Sequence, residues 1–154
     1  MTLVLAIGKM LKLSPSVFLT VRRHWLSIRV VPHRGEAVQL EGMARLAVRH
    51  IEKGGTELAG TGEEATAFAN DGDVTVHDAF CHPRVLIGGF DEAELVVRTF
   101  LRQAFGGKSP VLPFPMVIYI AEELEGGLTD IEERAFKQLG FCLGAGSVSV
   151  ELKP

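Results

Sequence analysis

The most constraining feature of the sequence is a strand–helix–strand pattern over residues 116–152. Residues 116–121 read MVIYIA, and an unbroken apolar run of this length is typical of a strand buried on both faces. Thr129, with Glu132 three residues later, has the spacing of a capping box, so a helix is predicted to begin there. Its predicted buried stripe consists of Ile131, Ala135, Leu139 and Leu143. A last strand at 147–152 completes a unit whose two strands should be parallel, which predicts the α/β class.

The rest of the chain alternates short strand patterns with further helices. Strands are predicted at 25–31, where Pro32 ends the run, and then at 38–41, 43–51, 58–59, 74–76 and 84–87. A short helix is predicted at 61–68 with Thr61 as its cap, and a long helix at 91–105 with Asp91 as its cap. We therefore expect a mixed sheet in which early hairpin strands join parallel strands near 84–88, 116–121 and 147–152. The helices 91–105 and 129–143 are expected to pack against this sheet.

The composition suits one soluble globular domain. The chain has 154 residues, of which 47% are hydrophobic and 23% charged, and this excludes disorder, a collagen-like repeat and a coiled coil. The net charge of −3 argues against a general nucleic-acid binder, because such proteins neutralise phosphates with Lys and Arg. Cys81 and Cys142 are too few for a disulfide framework. They are interpreted as buried thiols of a reducing compartment, which predicts a cytoplasmic protein.

The apolar start of the chain, residues 1–13, has two interpretations. The run is too short to span a bilayer, which takes about 20 residues, and it lacks the features of a signal peptide. It is either a buried first strand or helix of the core, or an amphipathic helix on the inner face of a membrane. In the second case the candidate anchors are Leu3, Leu5, Ile7, Met10, Leu11 and Leu13. The predicted division of the chain is an N-terminal segment, 1–23, and one domain, 24–154.

Motif searching yields no catalytic or cofactor site. His77, Cys81 and His82 are the candidate metal ligands, since imidazole and thiolate suit zinc, but no fourth ligand lies nearby in the sequence. A chance cluster is therefore favoured over a site. Residues 106–109 read GGKS like the end of a phosphate-binding motif, but they follow a predicted helix rather than a strand. Cys142 falls in a helical stripe and is interpreted as packed. We expect no metal, no cofactor and no catalytic residue.

Several motifs occur in the order and spacing of one known family. After the strand at 116–121 come Thr129, Glu132, Glu133, Arg134, Ala135, Gly144, Ala145 and Pro154. They hold the corresponding places in a segment that resembles the Thr-x-x-Glu-Arg-Arg-Ala helix, the Gly-Ala and the strand ending in Glu-Pro of MreB, the bacterial actin homologue. Residues 85–91 and 60–65 resemble two upstream segments of that family, and 26–28 with 41–49 resemble its opening strands. The resemblance covers about residues 24–154 and implies one half of an actin-like, ribonuclease H-like ATPase fold.

Two departures from the family pattern imply that the ATPase is absent. MreB proteins carry Asp-x-Gly-Thr after their first strand, where it handles the metal and the nucleotide phosphates. At the equivalent place this chain has Arg29, Val30, Val31 and Pro32. They offer no carboxylate and no glycine, and proline has no N–H to donate. The sequence also stops where the family continues into a second half, so we expect no cleft between halves.

The leading hypothesis is a non-catalytic MreB-related module that binds protein, in cell shape or the cytoskeleton. Because the second half would cover part of the sheet in the parent architecture, exposed apolar surface predicts a homodimer or an obligate partner. That partner would be a second copy, an MreB-like filament or another envelope component. Peripheral membrane contact through residues 1–13 is compatible with this hypothesis.

The alternative hypothesis is a small α/β enzyme or ligand-binding domain that uses the loops 70–83 and 122–127. Titratable groups would then have to converge in one pocket. The discriminating observation is a pocket that brings His77, Cys81 or His82 close to the glutamates of the second loop, which are Glu122, Glu123 and Glu125.

Overall fold

Eight strands and three α-helices make up the described part of the chain, which in this computed structural model is residues 14–82 and 84–153. In chain order they are β1 (Ser16–Arg22), β2 (Trp25–Val31), β3 (Val38–Met43), β4 (Arg45–Ile51), β5 (Gly55–Thr61), α1 (Glu63–Thr66), β6 (Val74–Asp78), α2 (Phe90–Ala104), β7 (Phe114–Ile120), α3 (Asp130–Cys142) and β8 (Ala145–Leu152). A 3-10 turn, Glu52–Gly54, joins β4 to β5. The predicted α/β class is confirmed.

The larger sheet has five strands in the order β3-β2-β1-β7-β8. Strand β2 is antiparallel to both of its neighbours, β1 and β3. Strand β7 is parallel to both of its neighbours, β1 and β8. Alternate residues of β1 and β7, such as Leu19 and its partner Ile118, are fully buried. They pack in one core with Val96 and Phe100 of α2 and Phe136 of α3. The predicted parallel β7–α3–β8 unit is confirmed.

The smaller sheet has the order β5-β4-β6, and it is joined to the larger sheet through the turn that follows β1. The amide of His24 in this turn donates to the carbonyl of Phe80, and the carbonyl of His24 accepts from the amide of Ala44. Both His24 and Phe80 have positive φ angles, 59° and 58°. Within the smaller sheet, the side chain of Arg45 forms an ion pair with Asp78, with 2.8 Å between Nε and Oδ2.

Strand β1 bears on the predicted N-terminal segment 1–23, for which a core strand and a membrane-surface helix are the alternatives. It lies within the segment 1–23 that the sequence set apart, yet it is the central strand of the larger sheet and pairs with both β2 and β7. Residues 16–22 therefore belong to the same sheet as the strands of 24–154. The candidate membrane anchors Leu3, Leu5, Ile7, Met10, Leu11 and Leu13 lie outside the described residues. Within the described residues, no helix is long and apolar enough to cross a bilayer.

The predicted strand at 84–87 is wrong, because residues 84–86 form bends and Ile87 belongs to no strand. Leu86 is apolar because it fills the core, where its side chain is 2% exposed, and not because it belongs to a sheet. The third parallel strand of the larger sheet is β1 instead.

The helix boundaries are right in one case and wrong in two. The capping box of α3 is confirmed: Thr129 and Glu132 exchange side-chain and backbone hydrogen bonds. Helix α2 begins at Phe90, with Gly89 rather than Asp91 as its cap, and α1 spans four residues, with Gly62 rather than Thr61 as its cap. On α3, Ile131 is 81% exposed and leaves the predicted stripe, while Phe136 is buried in the core.

Candidate functional site

The central pair of parallel strands creates a crevice at its carboxyl ends. From β1 the chain turns back to β2 on one side, and from β7 it crosses through α3 to β8 on the other. In open α/β sheets, ligands bind outside the carboxyl ends of the strands at such a switch point. A cavity of about 760 Å³ lies there. Its lining residues are Arg23, Arg84, Val85, Glu123, Leu124, Glu125, Gly127, Thr129 and Glu132.

The turn that follows β1 consists of Arg23 and His24, and both of its backbone N–H groups are already donated within the protein. The amide of Arg23 donates to Oε2 of Glu122 at 2.9 Å, and the amide of His24 donates to the carbonyl of Phe80 at 3.1 Å. A phosphate-binding loop works by aiming backbone N–H groups at the anion. This turn has no such donor to spare.

The lining of the crevice is more acidic than basic. Three glutamates, Glu123, Glu125 and Glu132, face two arginines, Arg23 and Arg84. The carboxylate of Glu132 is committed to the capping box, since its Oε2 accepts from the amide and the hydroxyl of Thr129 at 2.9 and 2.7 Å. The carboxylates of Glu123 and Glu125 belong to exposed residues. A phosphate that entered the crevice would therefore meet a surplus of negative charge.

The three candidate metal ligands do not converge. Nδ1 of His77 lies 3.2 Å from Oε1 of Glu92, and the thiol of Cys81 donates to the carbonyl of Asp78. Nδ1 of His82 accepts from the amides of the two residues that begin the next segment, Arg84 and Val85. Within the described residues, no group of three or more His, Cys, Asp or Glu is placed to hold a metal ion.

The observation that would favour the enzyme alternative is not found in this cavity. The loop 122–127 lines it, but His77, Cys81 and His82 are not among the described residues that do so. His82 contributes indirectly, because its ring holds the amides of Arg84 and Val85 at the rim.

The two cysteines are both free thiols. Cys81 is exposed, so its interpretation as a buried thiol is wrong, and Cys142 is half-buried.

The predicted position of the phosphate-loop equivalent is also corrected. Arg29, Val30 and Val31 lie at the carboxyl end of β2, and Pro32 follows them. Because β2 runs antiparallel to β1, these residues are at the opposite end of the sheet from the crevice. The residues that do follow the first described strand are Arg23 and His24. With residues 1–23 predicted to lie apart from the domain, 26–28 is the opening strand of the predicted domain, and β1 precedes it.

Sequence reasoning also missed Arg23 and Arg84 as lining residues. They come from distant parts of the chain, and the cavity exists only because β1, the bend at 84–87 and the loop after β7 meet. The one available signal was the pattern of β1, in which Val17, Leu19 and Val21 alternate with more polar residues.

Comparison with solved structures matches this arrangement to an actin-like protein. MreB5 of Spiroplasma citri bound to ADP superimposes with a TM-score of 0.62 at 16% sequence identity, over 92% of this chain and 39% of that chain. The same protein bound to AMPPNP gives a TM-score of 0.60 at 15% identity, over 90% and 38% of the two chains. The chain therefore has an MreB-like fold.

The MreB-like fold is what the comparisons show. No family model matches the sequence, and no curated protein matches it. The chain spans less than two fifths of the length of the MreB5 chains that it matches.

Proposed function

We propose that this chain is a non-catalytic MreB-like module that works by binding protein, in bacterial cell shape or the cytoskeleton. The observation that carries the proposal is the turn after β1. Its two N–H groups are donated to Glu122 and Phe80, so the place where a phosphate would be held has no free backbone donor.

The charge of the crevice supports the same proposal. Three glutamates against two arginines disfavour a polyphosphate. The turn itself, Arg23 and His24, supplies no carboxylate through which a magnesium ion could offset this charge. An actin-like scaffold with such a crevice is better suited to hold other proteins than to hydrolyse a nucleotide.

Nucleotide binding is the second candidate function, and the similarity to MreB5 motivates it. The two matching structures contain ADP and AMPPNP. A nucleotide held in this chain would occupy the crevice at the carboxyl ends of β1 and β7, and its phosphates would contact Arg23 and Arg84.

The deciding experiment is a thermal-shift titration with magnesium and ATP. A ligand at a hundred times its Kd stabilises the native state by about 2.7 kcal/mol, which for a chain of this size raises Tm by about 5–10 °C. We expect no shift at millimolar ATP and no magnesium-dependent hydrolysis above background.

A shift would contradict the proposal if it arose in the crevice, and matched variants identify its source. Arg84→Ala should remove a shift that originates there. Arg34→Ala should leave it unchanged, because Arg34 follows β2 and lines a different cavity at the opposite end of the sheet.

A further inference from the structure

Strand β8 is an edge of the larger sheet with one side open. It has eight residues and pairs with β7 alone, and no other described strand lies against it. Natural edge strands are usually protected by proline, charged side chains, a bulge or short length. The sequence of β8, AGSVSVEL, contains no proline and one charged residue, Glu151 near its end, and its one register shift lies at its start. Residues 147–152 therefore offer a regular edge to another strand.

The direction of the open backbone groups follows from one hydrogen bond. The amide of Lys153 donates to the carbonyl of Ile120, at 2.8 Å, and so points towards β7. Because backbone groups alternate along a strand, those of Ser147, Ser149 and Glu151 also point to β7. The amides and carbonyls of Val148, Val150 and Leu152 point outward.

These outward groups are self-complementary about Ser149. If a second copy pairs antiparallel with Ser149 opposite itself, Val148 lies opposite Val150 in both directions as a hydrogen-bonded pair. β-Branched residues in such pairs stabilise a sheet. Glu151 then lies opposite Ser147, so no like charges face each other. Centring the pair on Val148 instead would replace these contacts by two Gly146–Val150 pairs.

Helix α3 packs above this edge. A β-carbon at Gly140 would lie 2.6 Å from Cγ2 of Val148, so this side of α3 faces β8. Glu133 and Lys137 precede Gly140 on the same side, and their ion pair has 2.7 Å between Oε1 and Nζ. A two-fold axis through Ser149 makes the two α3 helices antiparallel.

We propose that the chain forms a symmetric homodimer by antiparallel pairing of β8 with β8 of a second copy, centred on Ser149, which joins the two sheets into one of ten strands. The inference rests on the proposed function, because it names the protein partner which that function requires. Its failure would be separate from nucleotide binding, which the thermal-shift titration measures.

Two exposed serines on the same face of β8 provide matched variants. Ser149→Lys would place like charges opposite each other across the axis, and we expect the dimer Kd of the full chain to rise about fivefold or more. Ser147→Lys would place its charge opposite Glu151, and we expect an unchanged or lower Kd. Sedimentation equilibrium measures both values, and circular dichroism checks that both variants fold.

Cysteine variants at the same two positions test the register. Across the axis the two Ser149 residues form a non-hydrogen-bonded pair with Cα atoms about 4.5 Å apart, within the disulfide range. The two Ser147 residues would lie about 14 Å apart. We therefore expect Ser149→Cys to give an oxidised covalent dimer and Ser147→Cys to give no more than the wild-type chain, which carries the same native cysteines.

Three results would overturn the inference. One is a wild-type chain that stays monomeric at the highest concentration reached. The second is an equal change of Kd in the two lysine variants, and the third is equal cross-linking of the two cysteine variants. Either of the last two would mean that any dimer uses another surface.

Discussion

The turn after β1 and the edge of β8 differ in how their backbone hydrogen bonds are used. In the turn, the amides of Arg23 and His24 are both donated to groups of the same chain. Along β8, alternate amides and carbonyls face away from β7, and no described strand accepts them. Because an open edge strand is a template for pairing with another chain, an interaction is expected where the backbone groups are open rather than where they are used. The edge strand is therefore a better candidate for an interaction than the crevice.

The largest expected effect comes from removing the support of the open edge. Phe136 anchors α3 in the core and stacks on Phe80, with ring centroids 6.3 Å apart. Phe136→Ala should lower the free energy of unfolding by about 3–5 kcal/mol, through lost burial and the cavity left behind. Chemical denaturation at low protein concentration measures it.

Phe141→Ala is the matched control for this prediction. Phe141 lies on the same helix but is 49% exposed, so its truncation should cost much less. Similar losses in the two variants would mean that α3 is not packed on β7 and β8 through Phe136.

A smaller effect is expected at the start of α3, which also borders the crevice. Thr129→Ala removes the capping box and should cost about 1 kcal/mol. Asp91→Ala, in the first turn of α2, should cost only a few tenths of a kcal/mol, because Asp91 makes no capping hydrogen bond there. Thermal unfolding of the two variants measures the difference, and the reverse order would contradict the assignment of the caps.

The smallest expected effect tests the hydrogen bond that occupies the Arg23 amide in the turn after β1. Glu122→Ala removes the acceptor of the Arg23 amide and should cost about 1 kcal/mol or less at this partly exposed site. Glu122→Gln keeps an acceptor oxygen and should cost less than Glu122→Ala. Equal Tm values for both variants and the wild type would mean that the hydrogen bond from the Arg23 amide to Glu122 does not stabilise the turn.

The sequence predicted those parts of the fold that depend on local patterns. The apolar run of β7, the capping box at Thr129 and the parallel β8 are each encoded within a few residues, and all are confirmed. Strand β1 has an equally clear alternation, but the sequence analysis places it in the separate segment 1–23. The opposite error occurred at Leu86, where a strand was predicted and a bend is found. An apolar residue buried in a bend has the same sequence pattern as one buried in a strand.

The candidate site depended on tertiary structure. The crevice needs Arg23, Arg84 and the loop after β7 to come together from three distant segments, and no spacing in the sequence encodes that meeting. The state of the turn depends on Glu122, 99 positions away from Arg23. The resemblance to MreB gave the correct fold, whereas the residues assigned to the phosphate loop, Arg29 to Pro32, lie at the opposite end of the sheet from the crevice.

Sedimentation equilibrium of the full chain, with and without magnesium and ATP, tests the central claim most directly. The account predicts a dimer that forms without nucleotide, is weakened by Ser149→Lys and has the same Kd when millimolar ATP is added. Association that appears only with ATP, or a Kd that changes with it, would contradict the account, because the crevice would then bind nucleotide and control assembly.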